Sequence, residues 1–201
     1  MIAGVVACGG KDDTDAQKAV VENFLSCFTK ADIEGAQALC TDDNSFMSSM
    51  SRLYSSLDAY KDTDKYGEKW VSELNKYLET MFSKIISESE ITDVKTEDDK
   101  TVVSVKVKTL DVSSMSSSMS DLQKEISEYS QQYAKDHMSE LQEIYKKDGQ
   151  AGVEKALYDA LAEDVLNKVI EKFDEQAKPI EGTLTFTLVA DGDSYKISSI
   201  Y

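Results

Sequence analysis

His137 is the only histidine among 201 residues, so any nucleophilic triad or imidazole-bound metal would have to be built on that one ring. On a helical wheel it falls inside an apolar arc between Tyr133 and Leu141. That position describes a satisfied, half-buried histidine, because no motif supplies the oriented third group a triad needs. Cys27 and Cys40 are spaced neither as CxxC nor as a zinc pattern. Both fall on apolar faces of predicted helices, where a free thiol acts as a small hydrophobe; in an exported protein they are also a candidate disulfide pair. Among 38 acidic residues carboxylate pairs arise by chance, and Asp164, on the apolar side of its predicted helix, has the best claim to act as a general base. A salt bridge or an exposed bend explains it with fewer assumptions. No Walker loop, GxGxxG, HExxH or GxSxG occurs. Asp42-Asp43-Asn44 and Asp191-Gly192-Asp193 lack the further acidic ligands of a calcium loop. The expectation is a protein that is not an enzyme and takes no cofactor or specific metal. Ten tyrosines remain to be placed, and Tyr129, Tyr133, Tyr145 and Tyr158 share one stretch of the chain. Tyrosine brings area, few rotors and a polar tip, so Tyr129 and Tyr133 with His137 form the candidate binding surface, core packing being the plainer alternative. Met115, Met119 and Leu122 offer a second, adaptable apolar face.

A net charge of -16 and a pI near 4.4 repel polyanions and anionic lipid alike, which sets nucleic acid aside and leaves no basic surface for docking on a membrane. No run approaches the roughly 20 apolar residues a spanning helix needs. The N-terminal Val5-Val6-Ala7-Cys8-Gly9-Gly10 resembles the lipobox of bacterial lipoproteins. That resemblance implies a diacylglyceryl group on Cys8, cleavage just before it, and anchoring at the extracytoplasmic face of the cell membrane. The residue types fit the chemistry, since only a thiol forms the thioether and a small residue such as Ala7 fits the peptidase subsite. Two acyl chains, at roughly 0.8 kcal/mol per buried methylene, hold firmly where one holds reversibly. Met1 to Ala7 supplies neither the basic start nor the apolar run of about 7 to 15 residues of a signal peptide, so the expectation is a start assigned too late or a trimmed remnant. Residues 1–15 are accordingly read as signal remnant, lipobox and flexible tether, with Gly9 to Asp15 as the leash.

Periodicity supplies the elements. Thr14 and Gln17 read as a capping box before Ala16, Val20, Phe24, Cys27 and Phe28 at helical spacing. Ala31-Asp32 turns the chain, Asp32 caps a short helix carrying Ile33, Ala36, Leu39 and Cys40, and a third, serine-backed helix carries Phe46, Met50, Leu53 and Leu57. The strongest helical arc, including Trp70, Leu74, Leu78, Phe82 and Ile86, predicts a helix from about Asp64 to Glu88. Ile91 to Thr96 and the alternating Val103, Val105 and Val107 make one hairpin. Leu184, Phe186 and Leu188, an Asp-Gly turn, then Tyr195 and Ile197 make another. Between the hairpins, 112–178 reads as a helical insertion. One helix carries Leu122 to Ile144 and stops at Asp148-Gly149; the next carries Val153, Leu157, Leu161, Val165, Val169, Phe173 and Ala177, each four apart, before Pro179. Such a stripe winds round its helix and must meet more than one neighbour, or the helix bends near Asp164.

The opening Phe24 to Ala36, one helix turning at Ala31-Asp32 into a second, and the closing Thr185 to Tyr201 hairpin resemble nuclear transport factor 2-like (cystatin-like) domains. The resemblance implies an α+β fold: helices packed on a curved, mainly antiparallel four-stranded sheet made of two hairpins, one domain spanning 16–201. It also implies kinship with Gram-positive lipoproteins whose function is unassigned. The function expected is therefore a lipid-anchored extracytoplasmic binding or interaction module for an unknown protein or small-molecule ligand. The alternative is a small-molecule sensor or acid-base enzyme that uses a carboxylate in the cone pocket, as some members of this fold do.

Overall fold

A computed structural model describes residues 11–58, 60–97, 100–111, 115–176 and 178–201. Helix α1 (Lys11–Thr29), α2 (Ile33–Ala38) and α3 (Ser45–Asp58) come first, then α4 (Thr63–Tyr66) and α5 (Glu68–Ile85), then β1 (Ile86–Glu97) and β2 (Lys100–Asp111). Two long helices follow, α6 (Met115–Asp136) and α7 (Met138–Gln176), before β3 (Lys178–Asp191) and β4 (Ser194–Ile200). The strands form one open antiparallel sheet in the order β1-β2-β3-β4. This is the expected α+β class, two hairpins separated by helices.

The chain divides into two compact units: residues through Arg52 with 87–108 and 181–201, and residues 53–86 with 109–180. Residues 53–86 belong to the second unit because α4 and α5 pack against α7.

In the sheet unit, Val103, Val105 and Val107 alternate into the core from β2, as do Phe186 and Leu188 from β3 and Ile197 from β4; α1 covers them with Val21, Phe24, Leu25 and Phe28. Phe24 meets Phe186 edge-on at 5.6 Å. Burying side chains of this size contributes roughly 2 kcal/mol each. The buried face of α1 begins at Gln17, not Ala16, and here the capping-box reading fails: the helix already starts at Lys11, and Gln17 lies in the core with its Nε2 donating to Thr101 Oγ1 at 2.9 Å. Thr101 also meets Thr96 Oγ1 at 3.0 Å, so both buried polar groups are satisfied. Lys11 to Asp15 is likewise helix where a leash was expected, and Asp13 and Asp15 suit the positive end of its dipole.

Two turns follow the sequence closely. Ala31 takes a left-handed φ of 57°, and Asp32 N donates back to Cys27 O at 2.9 Å, closing α1 before the Asp32 carboxylate caps α2 through Gly35 N at 2.9 Å. At the last hairpin Asp191 pairs with Ser194 across Gly192-Asp193, with Gly192 at φ 63°.

In the helical unit, α5 buries Leu74, Leu78 and Phe82 as predicted. Its bounds differ from the predicted 64–88. Gly67, at φ 93° and ψ 154°, interrupts the run, and Ile86 leaves the helix because Ser87, Glu88, Ser89 and Glu90 continue as strand beside β2. α6 and α7 meet at His137, although His137 N still donates to Tyr133 O and its carbonyl accepts from Leu141 N. α7 is two helical runs joined at Gly149, whose φ of 68° and ψ of -161° fit the stop read at Asp148-Gly149. Leu161, Ala162 and Leu166 are buried. The side chains of Val165, Val169 and Phe173, and residue Ala177, lie outside the described set, as do the side chains of Leu53, Leu57, Met115, Met119 and Leu122.

Candidate functional site

Tyr129, Tyr133 and His137 are four residues apart, so on a helix they stand one above another. α6 carries the two tyrosines and the α6–α7 junction carries the histidine. The rings form a continuous row: Tyr129 and Tyr133 stack with centroids 6.5 Å apart and planes at 18°, Tyr133 and His137 at 4.2 Å and 22°. All three are half-buried. The sequence-predicted residues are thus brought together as a ladder of rings stacked one on the next.

Charged groups fix both ends. His137 Nδ1 lies 3.1 Å from Glu140 Oε2, and the Tyr129 hydroxyl donates to Asp164 of α7. Lys168 Nζ sits 5.4 Å from the Tyr129 ring centroid, a cation over the negative face of the ring. Asp164, expected on an apolar side, is exposed. Its carboxylate serves as acceptor for Tyr129. That hydrogen bond, with burial and the Asp164 charge adding to it, raises the Tyr129 hydroxyl to about 12. Such a phenol keeps its proton on the bond to Asp164 and holds the Tyr129 end of the row in place.

A titration follows from this pair. Because the folded chain holds the Tyr129 proton more tightly than the unfolded chain, the bond's contribution to stability is complete below pH about 10 and is lost as pH rises through about 12. With ring-labelled tyrosine, the Tyr129 resonance should titrate near the top of the range and fall toward the ordinary value in Asp164→Asn. An unmoved midpoint in that variant would remove Asp164 as the cause.

The remaining tyrosines go elsewhere. Tyr158 packs edge-on between Tyr66 at 4.6 Å and Trp70 at 5.1 Å, a core cluster of the helical unit that sequence reasoning missed, with Trp70 Nε1 donating to Tyr60 O at 3.0 Å. Tyr145 is 61% exposed and Met138 54%. They are seven apart on α7, hence on one face.

Both Cys27 and Cys40 are free thiols, so the disulfide weighed from the sequence is not formed here: Cys40 is fixed by its bridge to Ile197 of β4, and Cys27 sits in the last turn of α1. Burial pushes the Cys40 thiol up to about 12, and burial with the Asp32 carboxylate raises Cys27. In a Cys8→Ala background the native chain at pH 8 should therefore give a slow reaction with Ellman's reagent at half-buried Cys27 and none at Cys40 until urea unfolds it. A two-hydrogen gain in mass on reduction would show a disulfide instead.

Cys8 lies outside the described residues. Among the described residues no group of three or more His, Cys, Asp or Glu could hold a metal ion, and no helix is long and apolar enough to cross a membrane. In comparisons with known proteins no family model matches the chain, and neither a curated protein nor a solved structure shows significant similarity to it.

Proposed function

We propose that this chain is an interaction module held at the extracytoplasmic face of a membrane by lipid on Cys8, and that it engages a partner through the Tyr129, Tyr133 and His137 row. The observation that carries the reading is the row itself: three half-exposed rings in register along α6 and its junction with α7, pinned at the ends by Glu140 and by Asp164 with Lys168. Rigid aromatic area with polar tips is what protein interfaces enrich. The Val5 to Cys8 run supports the anchor, and the helix pair α1 and α2 in one unit with the closing hairpin supports a nuclear transport factor 2-like arrangement.

Cross-linking on intact cells tests the binding half. Tyr129→Ala with Tyr133→Ala should abolish the cross-linked species formed by the anchored protein while circular dichroism stays unchanged. Cross-linking at the wild-type level in that folded variant would remove the aromatic row as the partner surface.

A further inference from the structure

The two edges of the sheet are finished differently. The free side of β4 is closed by the chain itself: Thr41 N donates to Ile197 O at 3.0 Å, Ile197 N to Leu39 O at 2.9 Å, and Asn44 Nδ2 to the same Ile197 carbonyl at 3.1 Å. β1, at the opposite edge, is 12 residues long, about twice the common strand length. Among the described residues no strand pairs with its outer side. From Ser87 to Thr96 every residue is exposed except half-buried Ile91 and Val94.

Edges are usually blunted by shortness, proline or outward lysine. β1 contains no proline, and its one lysine, Lys95, is 2.7 Å from Asp93 of the same strand. Glu88, Glu90 and Asp93 leave the strand strongly acidic. Beside it a groove of about 170 Å³ runs over β1, β2 and β3. Within it Lys108 is held by Glu88 at 2.9 Å and Lys106 by Glu181 at 3.0 Å. Glu90 lies within electrostatic reach of Lys106 but forms no close ion pair among the described residues.

We propose that β1 is a docking edge for an extended, lysine- or arginine-rich segment of a partner protein, which adds as a fifth strand and sets a basic side chain against Glu90. Strand addition draws its affinity from main-chain hydrogen bonds and its selectivity from alternate side chains. The acidic edge supplies that selectivity: it attracts a basic strand. A second copy of this chain, at -16, would set like charges along the new pairing. The inference is independent of the aromatic row, which belongs to the other unit.

The probe is an acetylated, amidated octapeptide of alternating lysine and threonine, titrated into the isotope-labelled full chain. Binding should shift the β1 amides and slow their hydrogen exchange. Glu90→Lys, an exposed change that leaves the fold intact, should weaken it about tenfold. Methylating alternate backbone nitrogens of the peptide, which removes the donors, should abolish it. Three outcomes would overturn the proposal: no β1 response at millimolar peptide, equal binding of the methylated peptide, which would mean charge adhesion alone, or β1 protection that rises with protein concentration without peptide, which would mean a second copy.

Discussion

Replacing Gly67 by alanine is expected to destabilise the helical unit by about 3 kcal/mol, lowering its melting temperature by roughly 6–12 °C. Gly67 closes α4, donating its N–H to Thr63 O at 3.0 Å, and at the same time opens α5. Its φ of 93° with ψ of 154° is a region that only glycine occupies cheaply. An added Cβ would also stand 2.3 Å from Asp159 Oδ1. That carboxylate accepts from Trp70 N at 3.4 Å, capping the first turn of α5 from α7 where Gly67 has no side chain to do so. Backbone strain and the displaced cap therefore add. In an Asp159→Ala background the overlap and the cap are already gone, so the same change should cost about 1 kcal/mol less. Thermal unfolding followed by circular dichroism checks both, and equal costs in the two backgrounds would mean that Asp159 plays no part.

Asn44→Ala is expected to cost about 2–3 kcal/mol. The side chain is 1% exposed. Its Oδ1 accepts from Met47 N at 3.0 Å, capping α3, and its Nδ2 donates to Ile197 O at 3.1 Å. Losing a cap costs about 1 kcal/mol and a buried hydrogen bond about as much, with a small cavity besides. Asn44→Asp separates the parts, since aspartate still caps but turns its second oxygen on the Ile197 carbonyl with no proton to share. Desolvation would raise that carboxyl's pKa in the folded state. The variant should thus be poorly stable at neutral pH and recover as acid protonates it, the folded chain taking up the proton at higher pH than the unfolded chain. Urea unfolding across pH reads the effect; a pH-independent loss would leave only the cap's geometry to account for it.

These two residues also mark where sequence reading stops. Alternation fixed β2, because Val103, Val105 and Val107 need only a two-residue period and a buried face. The Asp191-Gly192 turn was equally legible, its chemistry being local. Asn44 and Gln17 were not. Each is polar, and its burial depends on a partner far along the chain, Ile197 or Thr101. Periodicity assigns such residues to caps and solvent faces. Ile86 was misplaced for a related reason, since its apolar side chain suits both the end of α5 and the start of β1, and pairing with β2 decides. In the candidate site Tyr129, Tyr133 and His137 follow one another at four-residue spacing, which alone makes neighbours, while Asp164 and Lys168 reach the row from another helix and were not legible as its partners.

Attachment through Cys8, with a binding domain beyond it, is tested by intact mass and membrane partitioning of the protein from the cells that make it, compared against Cys8→Ala. The expected result is a chain that begins at a diacylated Cys8 and sediments with membranes, and a variant that is released. An unmodified chain that still carries Met1 and partitions with the aqueous phase would contradict it.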